Sequence, residues 1–231
     1  MMTRIRLSII VLATLGCWRA YPASATPLTF DFDTGTPPLT VGMTIPLTQE
    51  VGGVTAQFSS PSGGAFSVQT DSSTHFTLSQ FSGNYLYPNQ PLQRSALDIQ
   101  FSQSLTSISL TFATNDSQDS TEFPGNLLLT AYLDSTGTPS IGSATAHGSF
   151  ASDTFPMGTL TFDAGGAPFN LVELIVPFQT AGTTSFFVDN IIVTPTELPP
   201  PEPDPVPEPG SMALVGTGLL ALLVRGRRRT K

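Results

Sequence analysis

Few side chains in this 231-residue sequence combine the types and spacings that do chemistry. His75 and His147 are the only histidines, and Cys17 is the only cysteine. That set cannot build the usual four-ligand zinc site. No G-x-S-x-G elbow is present, and the many serines reflect composition rather than a nucleophile–base arrangement. Carboxylates remain, and two of them could in principle drive glycoside hydrolysis. Nothing in the sequence marks such a pair. The sole tryptophan, Trp18, lies near the N-terminus, so the later chain has no indole for a sugar-stacking cleft. The expectation is a chain that is not an enzyme.

Binding chemistry has more candidates. Asn84-Tyr-Leu-Tyr-Pro88 sets Tyr85 and Tyr87 two residues apart. On a strand that spacing puts both rings on one face, as a small sugar platform or as ordinary packing. Among the acids, Asp31, Asp33 and Asp189 stand out because they flank predicted strands. Alternation places Asp31 and Asp33 on the same face. Asp33 can open a turn at Thr34-Gly35, and Asp189-Asn190 can close a strand end by hydrogen bonds. The acidic run from Asn115 to Glu122 lacks the D-x-D-x-D-G order of a calcium loop and reads as a solvated turn.

Charge narrows the partners. From Thr26 to Pro200, 14 acids face a single base, Arg94, a balance of −13. Such a surface repels nucleic acid and attracts cations. Arg94 is expected to close a structural salt bridge.

The elements that must position these groups are strands. Leu28–Asp33, Val54–Phe58, His75–Ser79, Ala96–Phe101 and Leu105–Phe112 alternate apolar and polar residues. So do Leu127–Leu133, Met157–Phe162, Leu171–Phe178 and Ser185–Val193. Period two means one buried and one wet face, as in antiparallel sheets. Gly, Pro, Ser, Asn and Asp fill the gaps, and no convincing amphipathic helix precedes residue 212. The prediction is an all-β domain over residues 26–195, an antiparallel two-sheet sandwich of jelly-roll type.

The order of these segments resembles a galactose-binding-like jelly roll. The resemblance rests on Phe30-Asp-Phe-Asp33, on the pair Leu97–Phe101 and Leu105–Phe112, on Ala131-Tyr-Leu-Asp134, and on Phe187-Val-Asp-Asn-Ile191. It implies that the first and last strands run side by side. A structural calcium could then join Asp33 and Asp189, with hydrogen-bonded strand ends as the alternative. It also implies a carbohydrate-binding module as an alternative to a structural or interaction role.

The ends of the chain carry addresses. Arg4 and Arg6, an apolar run from Leu7 to Cys17, and Ala23-Ser-Ala25 form a signal peptide over 1–25, cut after Ala25 and read by the Sec export machinery. Residues 196–205 are a proline-rich acidic linker. Then come Val206-Pro207-Glu208-Pro209, an apolar stretch over 212–224, and Arg225, Arg227, Arg228 and Arg229 as a stop-transfer cluster. Thirteen helical residues span roughly 20 Å, short of a ~30 Å bilayer core, unless Gly210 is included and Arg225 snorkels. Order and position in 206–231 resemble the PEP-CTERM sorting signal of Gram-negative bacteria. That resemblance implies recognition of Pro207, Glu208 and Pro209 by an exosortase. It implies a membrane-held precursor, then release to the envelope, surface or extracellular matrix, often beside exopolysaccharide.

Overall fold

In the computed structural model, residues 25–61, 65–89, 95–115, 125–149, 153–177 and 185–196 are described. Eleven strands and one helical turn account for the regular structure among them: β1 (Leu28–Phe30), β2 (Leu47–Val51), β3 (Val54–Ser59), β4 (Phe66–Thr70), α1 (Asp71–Thr74), β5 (Asn84–Pro88), β6 (Ala96–Thr114), β7 (Asn126–Tyr132), β8 (Ser140–His147), β9 (Met157–Asp163), β10 (Phe169–Ile175) and β11 (Phe186–Pro195). All strand pairings are antiparallel. The predicted all-β antiparallel sandwich is the observed fold.

The two layers share one strand. β6 is 19 residues long, and along it Leu97, Ile99, Phe101 and Leu105 are buried, then Ile108, Leu110 and Phe112. The buried positions change from odd to even between 105 and 108. The strand therefore turns its other face inward there, which a flat strand of period two cannot do. One edge of β6 takes β10 on residues 96–105 and β9 on 107–113. The other takes β3 on 98–101 and β11 on 105–114. The first layer thus runs β2-β3-β6-β10-β7-β8, and the second runs β4-β5-β11-β6-β9. The sequence reading had split this strand into 96–101 and 105–112; the residues between them carry the turn.

The first and last strands pair, as the resemblance implied. Leu28 opposes Val193 and Phe30 opposes Ile191. On the same strand, Val188 opposes Leu86 of β5. Between the layers lies the main core, with Phe58, Phe66, Phe101, Phe112, Phe169 and Phe186 fully or almost fully buried. At about 25 cal/mol per Å², each such ring stabilises the fold by roughly 1.5–3 kcal/mol.

A second, smaller core covers the outer face of the second layer. Leu78, Phe81, Tyr85, Ala113, Phe155, Met157 and Phe187 are buried there, with Phe76 and Tyr87 packed against them. The segment 75–79, read from its alternation as a strand, is instead part of this cover. His75 takes a left-handed conformation (φ 61°) and stops α1 after four residues, so the chain turns off the sheet. Hydrogen bonds then sew the cover to the loop before β9. Thr154 N donates to Thr77 O, Thr77 N to Thr154 Oγ1, and Ser79 N to Asp153 Oδ1.

The chain divides into two units after Glu197. Residues 1–24 and 197–231 lie outside the described residues, as do Arg94 and 116–124. Most of the predicted signal peptide with Ala23, the linker, Pro207, Glu208, Pro209, the 212–224 helix and its arginines fall there. Of that set only Ala25 is described, just ahead of β1. Among the described residues no helix is long and apolar enough to cross a membrane.

Candidate functional site

Asp31, Asp33 and Asp189 meet where β1, β5 and β11 converge. β1 ends at Phe30, and Phe32 then adopts a left-handed φ of 61° while its ring is buried beside Phe58 at 5.3 Å. The expected alternation therefore stops before Asp31. Asp31 instead accepts from Asp33 N at 3.1 Å and from Thr34 N at 2.8 Å, closing the turn. Asp33 reaches across to β5 and accepts from Asn84 N at 3.0 Å. Gly83 makes that approach possible: a Cβ there would lie 2.0 Å from Asp33 Oδ2.

Asp189 sits at a bulge in β11, where the register slips between Asp189 and Ile192 and Asn190 is left-handed at φ 51°. It is fully buried. Its oxygens accept from Ser82 N at 2.9 Å and from Asn190 N at 2.7 Å. Asn190 Nδ2 adds a bond at 3.0 Å. Burial pushes the carboxyl up from 3.8 to about 7, the nearby Asp33 and Asp31 reinforce this, and the two N–H donors oppose it. Each carboxylate is thus engaged by donors of the protein itself. Among the described residues no group of three or more His, Cys, Asp or Glu is arranged to hold a metal. The geometry matches the hydrogen-bonded alternative at both Asp33 and Asp189.

Tyr85 and Tyr87 do share a strand face, but it is the covered one. Tyr85 is fully buried, and its hydroxyl lies 2.6 Å from Thr74 Oγ1. Burial pushes this phenol up to about 12. Tyr87 is half-buried, nearly parallel to Phe76 at 6.2 Å and edge-on to Phe187 at 5.5 Å. Tyr85 has no ring face open to a sugar, so the two-ring platform does not form; packing explains the spacing.

A polar set on the outer face of the first layer escaped the sequence reading. Asp98 of β6 stands directly opposite Glu173 of β10, and Glu173 opposes Thr130 of β7. Tyr132 OH donates to Glu173 Oε2 at 3.2 Å. Burial, with Glu173 as the second cause, holds the Asp98 carboxyl above the usual range. Burial and Glu173 likewise raise the Tyr132 phenol. Leu128, Leu171 and Ile175 are half-buried on the same face. A sequence signal existed only in part: Leu97-Asp-Ile and Val172-Glu-Leu each place an acid on the wet face, but only the register makes them neighbours.

The chain is therefore a β-sandwich with a separate C-terminal unit. Residues 205–229 match the PEP-CTERM protein-sorting motif. Such a motif marks an exported protein held at the membrane until an exosortase processes it. No curated protein matches the chain. Solved structures similar to it include the K1 cleaved adhesin domain of Lys-gingipain from Porphyromonas gingivalis W83 (11% identity, 74% of this chain and 99% of that one, TM-score 0.40). A carbohydrate-binding module of Cellvibrio mixtus lichenase 5A, in complex with cellotriose, is similar at 8% identity (76% and 100%, TM-score 0.35). A family 11 carbohydrate-binding module from Clostridium thermocellum is similar at 10% identity (75% and 98%, TM-score 0.31).

Proposed function

We propose that this is a non-enzymatic structural or interaction protein of a Gram-negative cell surface or extracellular matrix, delivered there by exosortase processing. The match of residues 205–229 to the sorting motif carries the reading. In it, residues 1–25 are a signal peptide used by the Sec machinery, and 212–224 hold the precursor in the inner membrane. Pro207, Glu208 and Pro209 are the residues the enzyme recognises, and the sandwich is the cargo. Changing the three to alanine in an exosortase-bearing host should leave a longer, membrane-retained form. Release of that variant at the parent's rate and mass would overturn the proposal.

A carbohydrate-binding role is the second reading, with Asp98, Glu173 and Tyr132 as the observation that favours it. Carboxylates flanked by a phenol accept and donate the hydrogen bonds that sugar hydroxyls need, and half-buried Leu171 and Ile175 offer an apolar floor. Residues 26–200 on a glycan array would show saturable binding, lost in Glu173→Gln and kept in Tyr87→Ala. No binding, or equal loss in both variants, removes this reading. A structural calcium at Asp33 and Asp189 would accompany it only if the ion displaced the N–H donors now on those carboxylates.

A further inference from the structure

The last strand ends in a clamp, and a short proline-rich stretch separates that clamp from the sorting motif. Pro195 opposes Leu105, and Thr196 N and Oγ1 both bond Ser104 O, at 2.8 and 3.0 Å. One turn earlier Ser107 Oγ bonds Thr194 Oγ1 at 3.0 Å, and Thr106 Oγ1 bonds Thr194 O at 3.2 Å. β11 lies between β6 on one side and β1 and β5 on the other, so it cannot yield residues without opening the second layer. The folded domain thus holds the chain up to Thr196. Its pairings use nothing from 198–231, which form the separate unit. The fold is complete while the tail is still attached.

Only ten residues, Glu197 to Val206, then remain before Pro207, and five of them are proline. Extended at ~3.1 Å per residue they span about 31 Å. A flexible chain of that length would average nearer 18 Å. A folded domain of this size has a radius of gyration of roughly 15 Å, so its bulk is comparable to the whole spacer. A membrane enzyme must reach Pro207 past that bulk.

We propose that the exosortase acts on the already folded sandwich, and that the Thr196 clamp with the 197–206 spacer sets the reach that lets it do so. This rests on the sorting reading above. The step itself is the ordinary opening of a peptide C–N bond: the acyl carbon passes to water or another nucleophile, and the protonated amine leaves with the tail. The new content is the fixed contour length between the clamp and the motif.

The test uses the full chain in an exosortase-bearing host and reads the cut fraction of surviving protein by mass. Deleting 198–203 leaves Pro207-Glu208-Pro209 and everything after it intact. It should lower processing at least tenfold. Six Gly/Ser residues in place of 198–203 should restore most of it. Val188→Pro, which breaks β11, should also restore processing of the deletion, because an opened strand releases chain ahead of Thr196. Normal processing of the deletion overturns the proposal. A deletion that the Gly/Ser replacement does not rescue also overturns it, by showing that the sequence of 198–203 is read. Rescue by length but not by Val188→Pro removes the folded-substrate part. The alanine variant of 207–209 runs alongside; its normal processing would condemn the sorting reading instead.

Discussion

Replacing Asp189 with asparagine should flatten the pH dependence of folding. The carboxyl is fully buried, and in the folded state it titrates near 7 rather than at 3.8. Between those values the folded protein binds a proton that the unfolded chain has lost. Its contribution is fully present below pH ~4 and is lost as pH rises through ~7. About three pKa units correspond to roughly 4 kcal/mol. The amide sets an NH₂ against the donors Ser82 N and Asn190 N, which costs about 1–3 kcal/mol at every pH. The variant should therefore be the less stable protein at pH 4. By pH 8 the gap should have moved in its favour by roughly 4 kcal/mol, on the order of 10 °C in Tm. Urea unfolding of residues 26–196 at pH 4, 6 and 8 in the presence of EDTA measures this. Other carboxyls titrate in both proteins and largely cancel in the difference. Two parallel profiles, with a gap constant to within about 1 kcal/mol, would refute the reasoning.

Three further outcomes follow from the same region and its neighbour. Gly83→Ala places a methyl against Asp33 at a φ of +68° and should cost more than about 2 kcal/mol in urea unfolding; an unchanged midpoint would show that Asp33 moves aside freely. Tyr85→Phe removes the bond to Thr74 and should cost about 1 kcal/mol. In an ultraviolet titration the same variant should lose a phenol ionising near 12, and the loss of one ionising near 10 instead would contradict the buried placement. Millimolar calcium should leave Tm unchanged at pH 8, because protein N–H groups already engage Asp33 and Asp189; a rise of several degrees that Asp33→Asn abolishes would establish a cation there.

Much of the sandwich was legible because alternation is local. Leu127, Leu129 and Ala131 point inward just as their period two predicts, and so do Leu160 and Phe162. What failed depended on distant residues. Phe76 and Leu78 alternate as a strand would, yet they pack over Tyr85 and Phe187 because His75 turns the chain across the sheet. β2, β4 and β8 were passed over. Gln49 is buried in β2, Ser67 in β4, and β8 is mostly small residues with no fully buried side chain, so polarity or size masked the pattern. Asp98 and Glu173 are separated by 75 positions, and only the β6–β10 register brings them together. The meeting of Asp33 with Asp189 was foreseen from a family resemblance, whereas the bulge at Asn190 and the turn at Phe32 that shape it were not.

The pairing of the first strand with the last also bears on timing. Residues 28–30 and 84–88 find their partner only in 186–195, so neither can be secured until nearly the whole domain has been made. Contacts this distant in sequence form slowly, because a long loop must close before they reward it. Export through a narrow translocation channel needs a chain that is still threadable. A sandwich closed by its final strand stays threadable by construction: it can finish folding only after its C-terminal end has emerged on the far side.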